Sequence, residues 1–190
     1  MNAQIKLADN FKAELQKLPG LASRLALKST WEWECWRDGK LLWTDKNTNI
    51  VTNEGLNAVL NIMFHGSTQI STWYIAIFEN NYTPLATNTY ASPGYTECTA
   101  YDEATRPEFV EAAASGQSIT NSASRATFTM NATKTIYGGS LVGGGTGPNT
   151  KGDTAGGGTL FCSSQFSSGS KAVIATDVLK VTVTIAASDV

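Results

Sequence analysis

The sequence predicts a mainly β protein: a β-sandwich or jelly-roll-like body with one amphipathic helix at about 53–65 and a helical N-terminal arm. Three observations lead there. First, only 16% of residues are charged, against roughly 25% in ordinary globular domains. In their place stand 24 Thr, 16 Ser and 17 Gly, residue types suited to exposed strand faces and sharp turns. Second, several short segments alternate apolar and polar residues with period two, separated by clusters of Gly, Ser, Asn and Pro. Third, helical periodicity is confined to a stretch near the N-terminus and one after Thr52. At 190 residues the chain can bury a core without metals or disulfides. The change of period divides it into an arm, 1–28, and a body, 29–190.

In the arm, "DNFKAELQKLPG" sets Phe11, Leu15 and Leu18 at i, i+4 and i+7, with Asp9 or Asn10 as N-cap and Pro19-Gly20 as terminator. A helix this short is marginal alone in water and must dock on something. Phe11, Leu15 and Leu18, supplemented by Lys12 and Lys17, are therefore the candidate partner-binding residues. Lys6, Lys12, Lys17, Arg24 and Lys28 against Asp9 and Glu14 give the arm a net charge of +3, which leaves −5 on the body out of a total of −2.

The body opens with "TWEWECWRDGKLLWTD". Alternation places Trp31, Trp33 and Cys35 on one face and Glu32, Glu34 and Trp36 on the other, and Asp38-Gly39 marks a type I′ hairpin turn. Four of the five Trp residues lie here. They read as core and cross-strand pairs, with an exposed aromatic row stacking sugars as the alternative. Next, "NIVTNEGLNAVLNIMF" reads as a strand end, a cap at Thr52 or Asn53, and a helix with Glu54 in its first turn. Leu56, Val59, Leu60, Met63 and Phe64 fall on one stripe, so that face is expected to be buried against a sheet, with Asn57 and Asn61 in solvent and Gly66 ending the helix.

"TWYIAIFENN" is apolar on both faces and reads as a central strand. "YTECTAY" and "RATFTMNATKTIYGGSLV" alternate, with Ala126, Phe128, Met130 and Ala132 inward. "TLFCSSQF" and "DVLKVTVTIAAS" close the body, with Leu179, Val181, Val183 and Ile185 inward. Ten glycines lie between Gly138 and Gly158, where a strand end is followed by a stretch, 143–158, that reads as a flexible surface loop. It is no phosphate cradle, because Lys151 precedes Gly152 and the Gly-Lys-Ser/Thr order is missing.

No catalytic constellation emerges. The single histidine, His65, has no nucleophile elbow or second histidine beside it. Cys35, Cys98 and Cys162 contain no C-x-x-C pair and read as free thiols, in keeping with assembly in a reducing cytoplasm. "ECTAYDEATRPEFVE" fits no EF-hand spacing and reads as a solvated acidic loop partly neutralised by Arg106. The expectation is a non-enzymatic protein without cofactors or metals. An acidic body argues against nucleic acid as partner, and no apolar run suits a membrane span. The N-terminus lacks the apolar stretch of a secretory signal and is read as retained.

"LLWTDKNTNIVTNEGLNAVLNIMF", "TWYIAIFEN", "YTECTAYDEATRPEF", "RATFTMNATKTIYGGSLV" and a closing "DVLKVTVTI", in that order, resemble a family of tailed-bacteriophage minor capsid or head decoration (cement) proteins. The resemblance spans about residues 31–186, strongest in the V-T-N-x-G-L-N step and the W-Y strand after it. It implies a virion structural protein on the outer surface of the head, with the major capsid protein and itself, as a homotrimer, for partners. It carries over no catalytic residues. A tail or fibre module binding host glycans through exposed Trp31, Trp33, Trp36 or Trp43 is the alternative.

Overall fold

A computed structural model describes residues 25–189, and they are mainly β, with one helix and eleven strands in several antiparallel sheets among them. In chain order these are β1 (Leu25–Arg37), β2 (Lys40–Thr48), β3 (Ile50–Val51), α1 (Asn53–Phe64), β4 (Trp73–Phe78) and β5 (Ser118–Thr120). They continue with β6 (Ala126–Thr129), β7 (Lys134–Ile136), β8 (Gly138–Gly143), β9 (Thr159–Gln165), β10 (Lys171–Val173) and β11 (Val178–Asp189). The arm helix expected around Phe11, Lys12, Leu15, Lys17 and Leu18 lies outside the described residues.

One sheet has the order β2-β1-β11-β5, with β6 also pairing β11; a second runs β3-β9-β8-β4; β7 and β10 form a separate pair. The β1–β2 hairpin turns as its sequence requires. Asp38 and Gly39 both have positive φ, +48° and +73°, the type I′ geometry whose twist matches the flanking strands. A bulge at Cys35/Trp36 then shifts the register, pairing Cys35 with Trp43 and Trp36 with Leu41. β1 begins at Leu25, five residues before the expected start, and Leu27 already packs on the core.

Both larger sheets feed one main core, and Tyr90, Val142 and Leu160 form a smaller cluster apart from it. Trp31, Trp33 and Cys35 of β1 meet Ile75 and Ile77 of β4, Leu141 of β8, Phe128 of β6, and Leu179, Val181 and Val183 of β11. Trp33 lies so close to β8 that a Cβ at Gly139 would come within 2.7 Å of its indole ring. The ring of Phe166 meets Trp33 edge-on at 5.0 Å. The alternations read from β6 and β11 hold: Ala126, Phe128, Met130, Leu179, Val181 and Val183 are buried, while Ala132 and Ile185 are half-buried.

Two strand expectations need correction. "YTECTAY" forms isolated bridges at Glu97 and Tyr101 instead of a strand. β4 ends its sheet's strand order instead of lying inside it. Its far edge is nevertheless occupied: Cys98 N–H donates to Ile77 O, Ile75 N–H to Pro107 O and Phe109 N–H to Trp73 O. An irregular segment, 96–109, thus does the work of a strand. That satisfies the backbone groups of the edge, and β4 reads as apolar on both faces because Ile75, Ala76, Ile77 and Phe78 are all buried.

Candidate functional site

The helix α1 sits on the second sheet through its N-terminus. Thr52 is the cap: its Oγ1 accepts Gly55 N–H at 3.0 Å and donates to Leu160 O, and its own N–H donates to Phe161 O at 3.0 Å. Asn53 N–H donates to Ala86 O at 2.8 Å. Glu54 does more than complement the helix dipole. Its Oε2 accepts the N–H of Tyr90 at 2.8 Å and of Leu160 at 2.6 Å, stitching two further segments to the first turn. At the other end Gly66, φ +71°, lets Ser67 N–H return to Asn61 O.

These bonds fix the helix's rotation, and it is not the expected one. The residue pressed on the sheet is Gly55, where a Cβ would lie 2.5 Å from Phe161 O. Val59 follows it onto the core, and Ala58 and Ile62 are half-buried beside it. Apart from Val59, the stripe expected to be buried faces outward. Leu56 is 40% exposed, Leu60 55%, Met63 67% and Phe64 81%. The burial expected of Leu56, Leu60 and Phe64 is therefore overturned, because a glycine contact set the docking face. Asn57 and Asn61 are exposed as expected. The result is a pinned helix that displays four large apolar side chains.

The glycine-rich segment is also not what its composition implies. Arg106, expected in a solvated acidic loop, is buried, and all five of its N–H groups are used. Nε and Nη2 form a fork on the Glu97 carboxylate; Nη1 donates to Tyr90 Oη at 3.2 Å and Pro148 O at 3.0 Å; Nη2 also donates to Asp153 O at 2.9 Å. Burial opposes the guanidinium charge, but the oxygens of Glu97 and Tyr90 outweigh it and hold the pKa above the ordinary arginine value. Glu97 in turn accepts Gly152 N–H at 3.0 Å, and Asp153 Oδ1 accepts Gly156 N–H at 2.8 Å and Tyr90 O–H at 3.0 Å. A clamp, not a flexible loop, joins 144–158 to the body.

The remaining sequence candidates fall into place around these two features. Trp31 and Trp33 are buried and stack on each other at 5.7 Å, so neither can meet a glycan. Trp36 and Trp43 are half-buried, each under a lysine: Lys180 Nζ is 5.0 Å from one ring centre and Lys171 Nζ 5.5 Å from the other. His65 is exposed at the end of α1. Cys35, Cys98 and Cys162 are free and buried. Burial pushes their thiols up to about 12, 11 and 12, so none is a thiolate at neutral pH. Among the described residues no helix is long and apolar enough to cross a membrane.

No protein-family model matches the chain, and no curated protein sequence matches it significantly. The surface that sequence reasoning missed is the outward stripe of α1. Its residues were visible; their direction was not.

Proposed function

We propose that the protein is a non-enzymatic structural component of a virion that decorates and stabilises a bacteriophage capsid. Its body is a β-sandwich, it acts as a symmetric trimer, and its N-terminal arm contacts the major capsid protein or a neighbouring subunit. One observation carries the reading: a rigidly held helix that displays Leu56, Leu60, Met63 and Phe64 on one face. Contiguous exposed apolar patches of this kind mark association surfaces, and a face fixed before contact loses little conformational freedom on binding. The V-T-N-x-G-L-N step that carries the family resemblance is the segment that caps and seats this helix. The glycan-binding alternative loses Trp31 and Trp33 as contacts.

The test is co-sedimentation with undecorated capsids, followed by heating of the decorated and bare particles. The reading expects saturable binding and a raised disassembly temperature. Absence of binding, with polysaccharide quenching Trp fluorescence instead, overturns it. Removal of residues 1–24 is expected to leave a folded body that binds weakly; the cut stops at 24 because Leu27 packs on the core.

A further inference from the structure

We infer that α1 is the surface through which copies of this chain associate, the outward stripe packing against the same helix of neighbouring copies around a shared axis. The inference rests on the reading of the protein as a symmetric assembly and names the partner of that face.

The stripe has the geometry of a helix–helix seam. Leu56, Leu60 and Met63 are spaced by four and three residues, the alternation that keeps a seam facing a partner helix, and Phe64 adjoins it. The face also suits itself electrically. The only acidic or basic residue within the helix is Glu54, and its carboxylate is engaged with Tyr90 N–H and Leu160 N–H. The neighbours along the exposed side are Asn57 and Asn61, neutral groups that can hydrogen-bond across a symmetric contact. Two copies thus meet without like-charge repulsion, whereas a basic or acidic partner would find nothing on this face to pair with.

The size is adequate. The four side chains expose on the order of 400–500 Å² of apolar surface, comparable to the largest patch an ordinary monomer leaves uncovered. Covering it on both partners removes about 800–1,000 Å², at the lower bound for a specific interface. The helix cannot turn the stripe inward instead. Gly55 against Phe161, the Thr52 cap and Glu54 fix its rotation.

The experiment is light-scattering mass measurement across a dilution series, on the full chain, Leu60→Asp, Phe64→Asp and a deletion of residues 1–24. Circular dichroism checks folding, which these exposed sites are expected to retain. In a second measurement, Met63→Cys is oxidised gently and run without reductant. The inference expects an oligomer for the full chain and the deletion, monomers for both Asp variants, and a cross-linked species through position 63. A full chain that is monomeric throughout, Asp variants that assemble normally, or no cross-link in an assembled Met63→Cys protein would each overturn it. So would an assembly dissolved by the deletion and not by the Asp variants, which would make the N-terminal segment the occupant. Capsid co-sedimentation is scored separately. A chain that oligomerises through α1 yet ignores capsids defeats the proposed function and leaves this inference standing.

Discussion

The outer face of α1 and the glycine-rich segment 144–158 are opposites. One is apolar, regular and exposed; the other is polar, irregular and clamped. Periodicity and composition assign them the reverse roles. The difference teaches what each signal measures. Helical periodicity reports where large apolar side chains lie, not which face meets the protein's own core. Glycine content reports backbone permissiveness, which a chain can spend on mobility or on bringing carbonyls close to a buried cation.

The largest expected effect tests the clamp. Glu97→Ala leaves Arg106 buried without its carboxylate, and the loss of an ion-pair partner in that setting costs about 3–5 kcal/mol. Urea denaturation should show a clearly lowered midpoint; an unchanged one would mean that 144–158 is the loose connection its glycines imply. Replacing 144–157 by a Gly-Ser linker is expected to destabilise for the same reason, since Pro148 O and Asp153 O disappear together.

Gly55→Ala tests the seating of the helix. The new Cβ would press on the Phe161 backbone at 2.5 Å, and forced overpacking costs about 1–3 kcal/mol. A neutral result in thermal melts would show that the helix does not meet the sheet there.

Acid separates the two regions. The Gly156 amide and the Tyr90 hydroxyl donate to Asp153 and hold its carboxyl below the usual carboxylate range, the amide contributing most. A depressed folded pKa contributes order that is fully present above the ordinary Asp value of ~3.9 and is lost as pH falls through the folded one. The Gly156 amide resonance should therefore titrate below about pH 4, while Leu60 and Met63, with no acid beside them on the stripe, stay still over that range. A matching titration on both would dissolve the distinction.

Phe64→Ala is expected to have the smallest effect. In dilute, dissociated protein a side chain 81% exposed contributes within about 0.5 kcal/mol, not the several expected of a core Phe. A large loss there would return the stripe to the protein's own interior.

Much of the fold is legible because its causes are local. Asp38-Gly39 demands its turn, Thr52 its cap, and strict alternation identifies Phe128, Met130, Leu179 and Val181 as core. What was illegible depends on partners far along the chain. Gly55 docks on Phe161, and a residue without a side chain sends no periodic signal. Arg106 finds Glu97, Tyr90, Pro148 and Asp153, a set that no spacing rule joins. Within the acidic run, a lone arginine nine residues from a glutamate was the available hint, and solvation was the simpler reading. The start of β1 at Leu25 was hidden by the basic residues Arg24 and Lys28, which made the segment look like arm.

The most direct test of α1 as a contact surface is the rate of methionine oxidation by dilute peroxide, read by peptide mass spectrometry. Met63 is 67% exposed on the stripe, and Met130, 1% exposed in the core, is the internal reference. The account predicts rapid oxidation of Met63 in dilute dissociated protein and strong protection once the protein is concentrated or bound to capsids, with Met130 slow throughout. Equal Met63 rates in the dissociated and assembled states would contradict it.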